Sequence, residues 1–217
     1  MTKKLKRQYD NAYPSVTQVL DVLRKYGLEF WFKNNTLAFI NEESEKGKLI
    51  GTQIHEAIQS HIEKNKARVD TEYHEEVMNA LKGFMLFKKE NPTIKLIRSE
   101  MMLTSEKHKY NGTMDCLGKI NDNIVVFDWK SGKIRQERTT PDIYDEYIYQ
   151  VSAYVKAYNE VENQNVNEAY ILALAKNKVA YTLKKIEAQE IEESFNEVFL
   201  PALKILYYQK RRKNVSA

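Results

Sequence analysis

Cysteine is nearly absent from this chain. The single thiol, Cys116, excludes an intramolecular disulfide and any metal site built from clustered cysteines. Long apolar runs are missing as well, so no segment is expected to span a bilayer and no membrane partner is expected. The first residues, MTKKLKRQYD, are basic but no apolar stretch follows them. A secretory leader is therefore not expected, and a cytoplasmic protein is. Internal repeats, low-complexity tracts and an evident linker are also lacking. What remains is ordinary: 217 residues, 42% hydrophobic and 29% charged, the balance of a soluble globular protein with one well-cored domain. The net charge of +4 permits a nucleic-acid partner without requiring one.

Periodicity divides the chain. Residues 1–12 read as a flexible basic arm, 13–92 as a helical part, and 93–212 as a core of sheet and helices. Ser15 with Gln18 has the form of a capping box, and a helix is expected over Val16–Tyr26. The run Phe30-Trp31-Phe32 is expected in the core, with a base-stacking platform as the alternative. Helices are expected over Leu49–Ile62, with His55 and Gln59 one turn apart, and over Thr71–Glu90, ending before Pro92. Lys64–Asp70 reads as a polar connection. Thr93–Leu103 reads as a strand and a β-hairpin follows. Thr140-Pro141 resembles a helix start, and the apolar stripe then runs to about Val161. Ala169–Ala175 is a continuous apolar run, as in a buried strand. A last strand through Val179, Tyr181 and Leu183 precedes a helix over Ala188–Arg212, which Pro201 should kink. The fold class is α/β, a mixed central sheet flanked by helices.

The hairpin carries the chemistry. Its second strand, Asn123–Asp128, is β-branched and apolar, its partner is Tyr110–Ile120, and Asn121-Asp122-Asn123 supplies the turn. Side chains alternate along a strand, so Asp128 and Lys130 point the same way. A two-residue turn sets Asp115 opposite Asp128 or Lys130 and brings all three to one face; a three-residue turn would not. Cys116, next along the strand, is expected in the core. Two carboxylates and a lysine suit metal-assisted phosphodiester hydrolysis. The carboxylates hold a divalent cation, and the lysine meets the scissile phosphate or orients the attacking water. An acid in so apolar a strand costs several kcal/mol unless paired or on a metal.

Four short motifs then line up: Gly51-Thr52-Gln53-Ile54-His55, Gly112-Thr113-Met114-Asp115, Asp128-Trp129-Lys130, and Gln150-Val151-Ser152-Ala153-Tyr154. Together they resemble the PD-(D/E)XK nuclease superfamily, and within it the RecB-like branch. Tyr13-Pro14-Ser15-Val16-Thr17 is similar to the entry segment of the mitochondrial genome maintenance exonucleases and their phage relatives. Each motif alone is weak; all four in order are a strong signal. The resemblance implies a restriction-endonuclease-like core and Mg²⁺- or Mn²⁺-dependent DNA hydrolysis. It points to an exonuclease acting on single strands or free ends. It implies Asp115 and Asp128 as metal ligands, His55 as a further ligand or neighbour of the metal, and Lys130 as the catalytic lysine. Gln150 and Tyr154 would position DNA or the lysine, and Glu100 would be a further acidic ligand with no fixed spacing to anchor it. Relatives with an iron–sulfur cluster carry four cysteines, so that cofactor is excluded.

Lys133, Arg135 and Arg138 follow the lysine motif in an expected loop and are candidates for DNA phosphate contact, or equally a solvated face. The basic tail Lys210–Lys213 reads as a frayed helix end. A structure-specific endonuclease or the nuclease part of a recombination complex is the alternative enzyme. A catalytically silent DNA-binding module is the alternative from another class.

Overall fold

The computed structural model describes residues 12–24, 26–65 and 72–215; the side chains of residues 26–28 and 213–215 are not described. All of the predicted basic arm except Ala12 lies outside this set, as do residues 66–70 of the polar connection. The order is α1 (Val16–Leu20), α2 (Tyr26–Lys33), α3 (Leu37–Ile62), α4 (His74–Glu90), β1 (Lys95–Ser105), β2 (Tyr110–Ile120), β3 (Asn123–Gly132), α5 (Asp145–Glu162), β4 (Ala169–Ala175), β5 (Tyr181–Ile186), α6 (Ala188–Glu193) and α7 (Leu200–Val215). A π-helical segment, Ser194–Phe199, joins α6 to α7.

The strands form one sheet in chain order, antiparallel throughout except for the parallel β3–β4 pair. The parallel pair needs a crossover, and α5 supplies it. One face of the sheet packs on α3 and α4 through Ile50, Ile54, Phe84, Phe87, Phe127 and Trp129. The other packs on α1, α5, α6 and α7 through Val16, Met114, Val126, Val151, Ile171 and Phe199. Because both faces are covered, the central strands are apolar on both sides, which is why Ala169–Ala175 reads as an unbroken run. This is the α/β sandwich expected from the sequence.

The β2–β3 turn holds two residues: Ile120 pairs with Asn123, and Asn121 and Asp122 sit at φ 46° and 74°. Positive φ at both centres is what a type I′ turn requires, and Asn and Asp tolerate it. The Ser15–Gln18 capping box forms as expected, and Cys116 is buried on the α3–α4 face.

Other boundaries move. The long helix starts at Leu37, capped by Thr36, rather than at Leu49. Its first half, rich in Glu and Lys, is good helix-forming sequence with no apolar stripe to reveal it. Phe30 and Phe32 are 71% and 44% exposed on α2, so the aromatic run is not core. Thr140-Pro141 does not start a helix; α5 begins at Asp145, while the Pro141 carbonyl accepts the Thr182 hydroxyl. Val179 stays exposed before β5. The irregularity expected at Pro201 takes the form of the π segment just before it, where the ladder loosens ahead of a residue with no N–H.

Gly118 lies beneath the Phe127 ring, where a Cβ would come within 2.5 Å of the ring edge. Gly118→Ala should cost about 1–3 kcal/mol by overpacking. Gly47, in mid-α3, is the opposite case: an added Cβ would meet nothing within 4 Å. Gly47→Ala should stabilise by up to about 1 kcal/mol. Urea unfolding of the two variants should show shifts of opposite sign.

Candidate active site

The site forms where β2 and β3 part. Their paired residues end at Cys116 and Phe127; one more step would set Asp115 opposite Asp128. Instead the Trp129 amide donates to Asp115 Oδ2 at 2.6 Å. A side-chain carboxylate takes the place of a backbone acceptor, a charge-assisted bond stronger than the one it replaces. Across β1, the residue facing Asp115 is Glu100, which drops out of the ladder between the Ser99–Cys116 and Met101–Met114 pairs. Glu100 has φ 49°, a left-handed conformation unusual for a non-glycine within a strand.

Helix α3 reaches this point with Ile50, Ile54 and Ile58 buried, which leaves His55 on its flank toward the sheet. His55 Nδ1 lies 3.5 Å from Asp115 Oδ1 and 3.9 Å from Glu100 Oε1. Potential ligand atoms of His55, Glu100 and Asp115 all lie within 4.8 Å of one another. His55 and Glu100 also line an open cleft of about 530 Å³ together with Gly51, Thr52 and Gln59. Burial disfavours a charged imidazole, but the Asp115 and Glu100 carboxylates outweigh it and push His55 up to about 10. Burial likewise opposes the Asp115 charge, and His55, Lys130 and the Trp129 amide overcome it, holding Asp115 below the usual carboxylate range.

Asp128 is fully buried, with Lys130 Nζ 2.7 Å from its Oδ2. Neither Asp128 oxygen has a hydrogen bond of good geometry, so the pair is a charge contact that leaves the carboxylate under-satisfied. Burial raises Asp128 to about 6 against the pull of Lys130, and the neighbouring Asp115 charge adds to the rise. Lys130 lies 5.2 Å from the centre of the Tyr147 ring. Sequence reasoning misses Tyr147, which reads there as one more tyrosine in an apolar stripe; it lies one turn before Gln150 on α5.

Gln150 Nε2 donates to the Tyr154 hydroxyl at 2.7 Å, one turn along α5. The Tyr154 ring packs on Gly112, where a Cβ would fall 2.7 Å from Cε1. The first glycine of the Gly112–Asp115 motif and the tyrosine of the helix motif are thus one packing contact. Lys133 pairs with Glu43 at 3.5 Å, and Arg135 and Arg138 with Asp142 at 2.7 and 3.7 Å. The structure therefore brings His55, Glu100 and Asp115 together, sets the Asp128–Lys130 pair beside them and Gln150 and Tyr154 on the covering helix, and leaves the three loop cations on exposed ion pairs.

A model of the PD-(D/E)XK nuclease superfamily matches residues 24–212, and the chain belongs to that superfamily. No curated protein matches the chain. A proposed exonuclease from Eubacterium rectale is 12% identical over 95% of this chain and 86% of its own, with a TM-score of 0.57, a likeness of fold. The alkaline exonuclease of Laribacter hongkongensis is 14% identical over 94% of this chain and 95% of its own, with a TM-score of 0.38, and is also known in complex with dAMP. SSO0001 is 11% identical over 54% of this chain, which spans 57% of that one, at a TM-score of 0.32.

Nucleases of this superfamily use divalent metals, and the residues present fit one. The Glu100 and Asp115 carboxylates and the His55 imidazole form a mostly oxygen donor set within reach of one ion, and the buried, under-satisfied Asp128 carboxylate lies beside them. Mn²⁺ at about 100 times its dissociation constant should stabilise the fold by about 2.7 kcal/mol, a rise in Tm of about 5–10 °C for a chain of this size. Asp115→Asn and Asp128→Asn should each lose most of that rise. A full rise in both variants would place the ion elsewhere.

Proposed function

We propose that this protein is a Mg²⁺- or Mn²⁺-dependent deoxyribonuclease, one nuclease unit over residues 1–217, that acts on free ends and prefers single strands. One observation carries the reading: a partly buried lysine, three carboxylates and an imidazole gather at the fork of β2 and β3. Asp115, Asp128, Glu100 and His55 would hold the ion. When bound, it would supply charge neutralisation at the phosphoryl oxygens and lower the pKa of a ligated water. His55 would serve as a ligand only in its neutral form, so metal binding would release its proton.

Lys130 is 17% exposed and held between Asp128 and the Tyr147 face, so its charge has few directions in which to point. There it would bind the scissile phosphate and orient the attacking water, an interaction made before reaction and kept through it. Gln150, bonded to Tyr154, would fix the strand beside it. Lys133, Arg135 and Arg138 would contact phosphates further out by exchanging Glu43 and Asp142 for the nucleic acid. The preference for ends rests on α2 and α3, which would close a passage for one strand over the site.

Linear and covalently closed circular DNA, single- and double-stranded, incubated with and without Mg²⁺ or Mn²⁺, tests this. Cleavage should require the metal and should spare circles. Lys130→Ala should lower the rate by at least about 100-fold, while affinity for an oligonucleotide in EDTA stays near the wild-type value. Equal attack on circles and linear strands would remove the passage. Binding without cleavage under every condition would favour the silent DNA-binding module.

A further inference from the structure

Many described cations on this protein face an acid: Lys46 faces Glu76, Lys119 faces Asp122, Lys133 faces Glu43, Arg135 and Arg138 face Asp142, and Lys185 faces Glu168 and Glu187. In one region several cations without such a partner come together. The β1–β2 turn and α7 line a depression of about 450 Å³ with Lys107, Lys109, Lys204, Arg211 and the Tyr207 ring among them. None of these four cations has an ion-pair partner among the described residues. Leu200, Lys204, Tyr207 and Arg211 recur at helical spacing, so one face of α7 forms the wall. The Tyr207 hydroxyl donates to the Lys109 carbonyl at 2.6 Å and fixes the turn against that wall. Two nearby acids are turned to other donors: Glu106 of the turn accepts the Tyr13 hydroxyl, and Glu160 of α5 accepts the Ser105 hydroxyl and the Lys107 amide. Four like charges gathered without a direct ion-pair partner suit a polyanion.

Position says which polyanion. Lys109 lies over the Tyr13 ring, 5.5 Å from its centre. Tyr13, Asn111, Gly112 and Tyr154 line a second depression of about 400 Å³, which lies between Tyr154 of the site helix and the Tyr13 ring beneath Lys109. Lys109 is six residues from Asp115 along β2, about 20 Å at the usual strand rise. That is about six phosphates of a stacked strand.

We propose that Lys107, Lys109, Lys204 and Arg211 form a second binding site for the sugar-phosphate backbone of a nucleic-acid strand, reached from the active site through the Tyr13–Tyr154 depression. The proposal rests on the nuclease reading for the strand's other contact. Its ligand is recognised by charge alone, without base readout. The site would anchor a strand several nucleotides from the bond being cut and so favour longer substrates.

The triple variant Lys107→Gln/Lys204→Gln/Arg211→Gln tests it, with Lys82→Gln/Lys89→Gln/Lys178→Gln as a control of equal charge change. Lys109 is left in place because it packs on Tyr13. Binding of a labelled 20-nucleotide single strand is measured by anisotropy in EDTA at several salt concentrations, so it needs no cleavage. The site variant should bind roughly tenfold more weakly at 0.1 M salt, and its salt slope should fall by about 2. The control should change neither by as much. Under metal, kcat/KM should fall on the 20-nucleotide strand but not on a four-nucleotide strand too short to span both places. An unchanged slope, or equal losses in the control, would overturn the proposal. So would loss of binding to phosphatidylserine vesicles with oligonucleotide binding intact. Absence of cleavage in the wild type would defeat the nuclease reading but leave the EDTA measurement able to decide this one.

Discussion

At Trp129 the sheet changes partner. Up to Phe127 the amides and carbonyls of β3 meet those of β2; at Trp129 the amide meets the Asp115 carboxylate. A buried carboxylate costs several kcal/mol unless donors and counter-charges surround it. This one has a backbone N–H, an imidazole and a nearby lysine. The bond also holds the strands at the separation the site needs. If β2 and β3 paired on past Phe127, the Asp115 carboxylate would have no amide to accept. The cleft would then lose its ordered wall.

The glycines and aromatics serve this opening indirectly. Gly112 is small because the Tyr154 ring occupies the space of its side chain, and Gly118 is small because Phe127 does. Both contacts press a large ring against β2, one from each side of the sheet, within a few residues of Asp115. Tyr154 is in turn tied to Gln150, and Lys130 lies against Tyr147 one turn earlier. A single face of α5 therefore sets both the packing behind the site and the polar groups beside it. Glu100 is the one position where the backbone departs from favoured geometry inside a strand of the site, a strain of about 1–3 kcal/mol held by the surrounding sheet. Strain of this kind collects where side chains must converge rather than alternate.

Charge is distributed by the same logic. Exposed ion pairs such as Arg135–Asp142 contribute little to stability, but they quiet the surface around most of the molecule. Against these stand the Asp128–Lys130 pair, whose carboxylate is fully buried, and the four cations that line one depression near the β1–β2 turn.

Much of the hairpin is legible in the sequence because its determinants are local. Asn121-Asp122 tolerates the positive φ of a tight turn, strand parity then ties Asp128 to Lys130, and an unbroken apolar run marks β4. The motif spacing likewise points to His55, Asp115, Asp128 and Lys130 without any knowledge of contacts. Other features have no local signature. The first half of α3 carries no apolar stripe, and the exposure of Phe30 and Phe32 depends on what packs against α2. The positive φ of Glu100, the grip of Tyr147 on Lys130, and the meeting of Lys107 with Lys204 and Arg211 join residues far apart in the chain. Local sequence determines turns, strand faces and caps, because those depend on neighbouring residues. Which charges converge and which are left without partners is decided only when distant elements pack, because an electrostatic site is a property of distances in space.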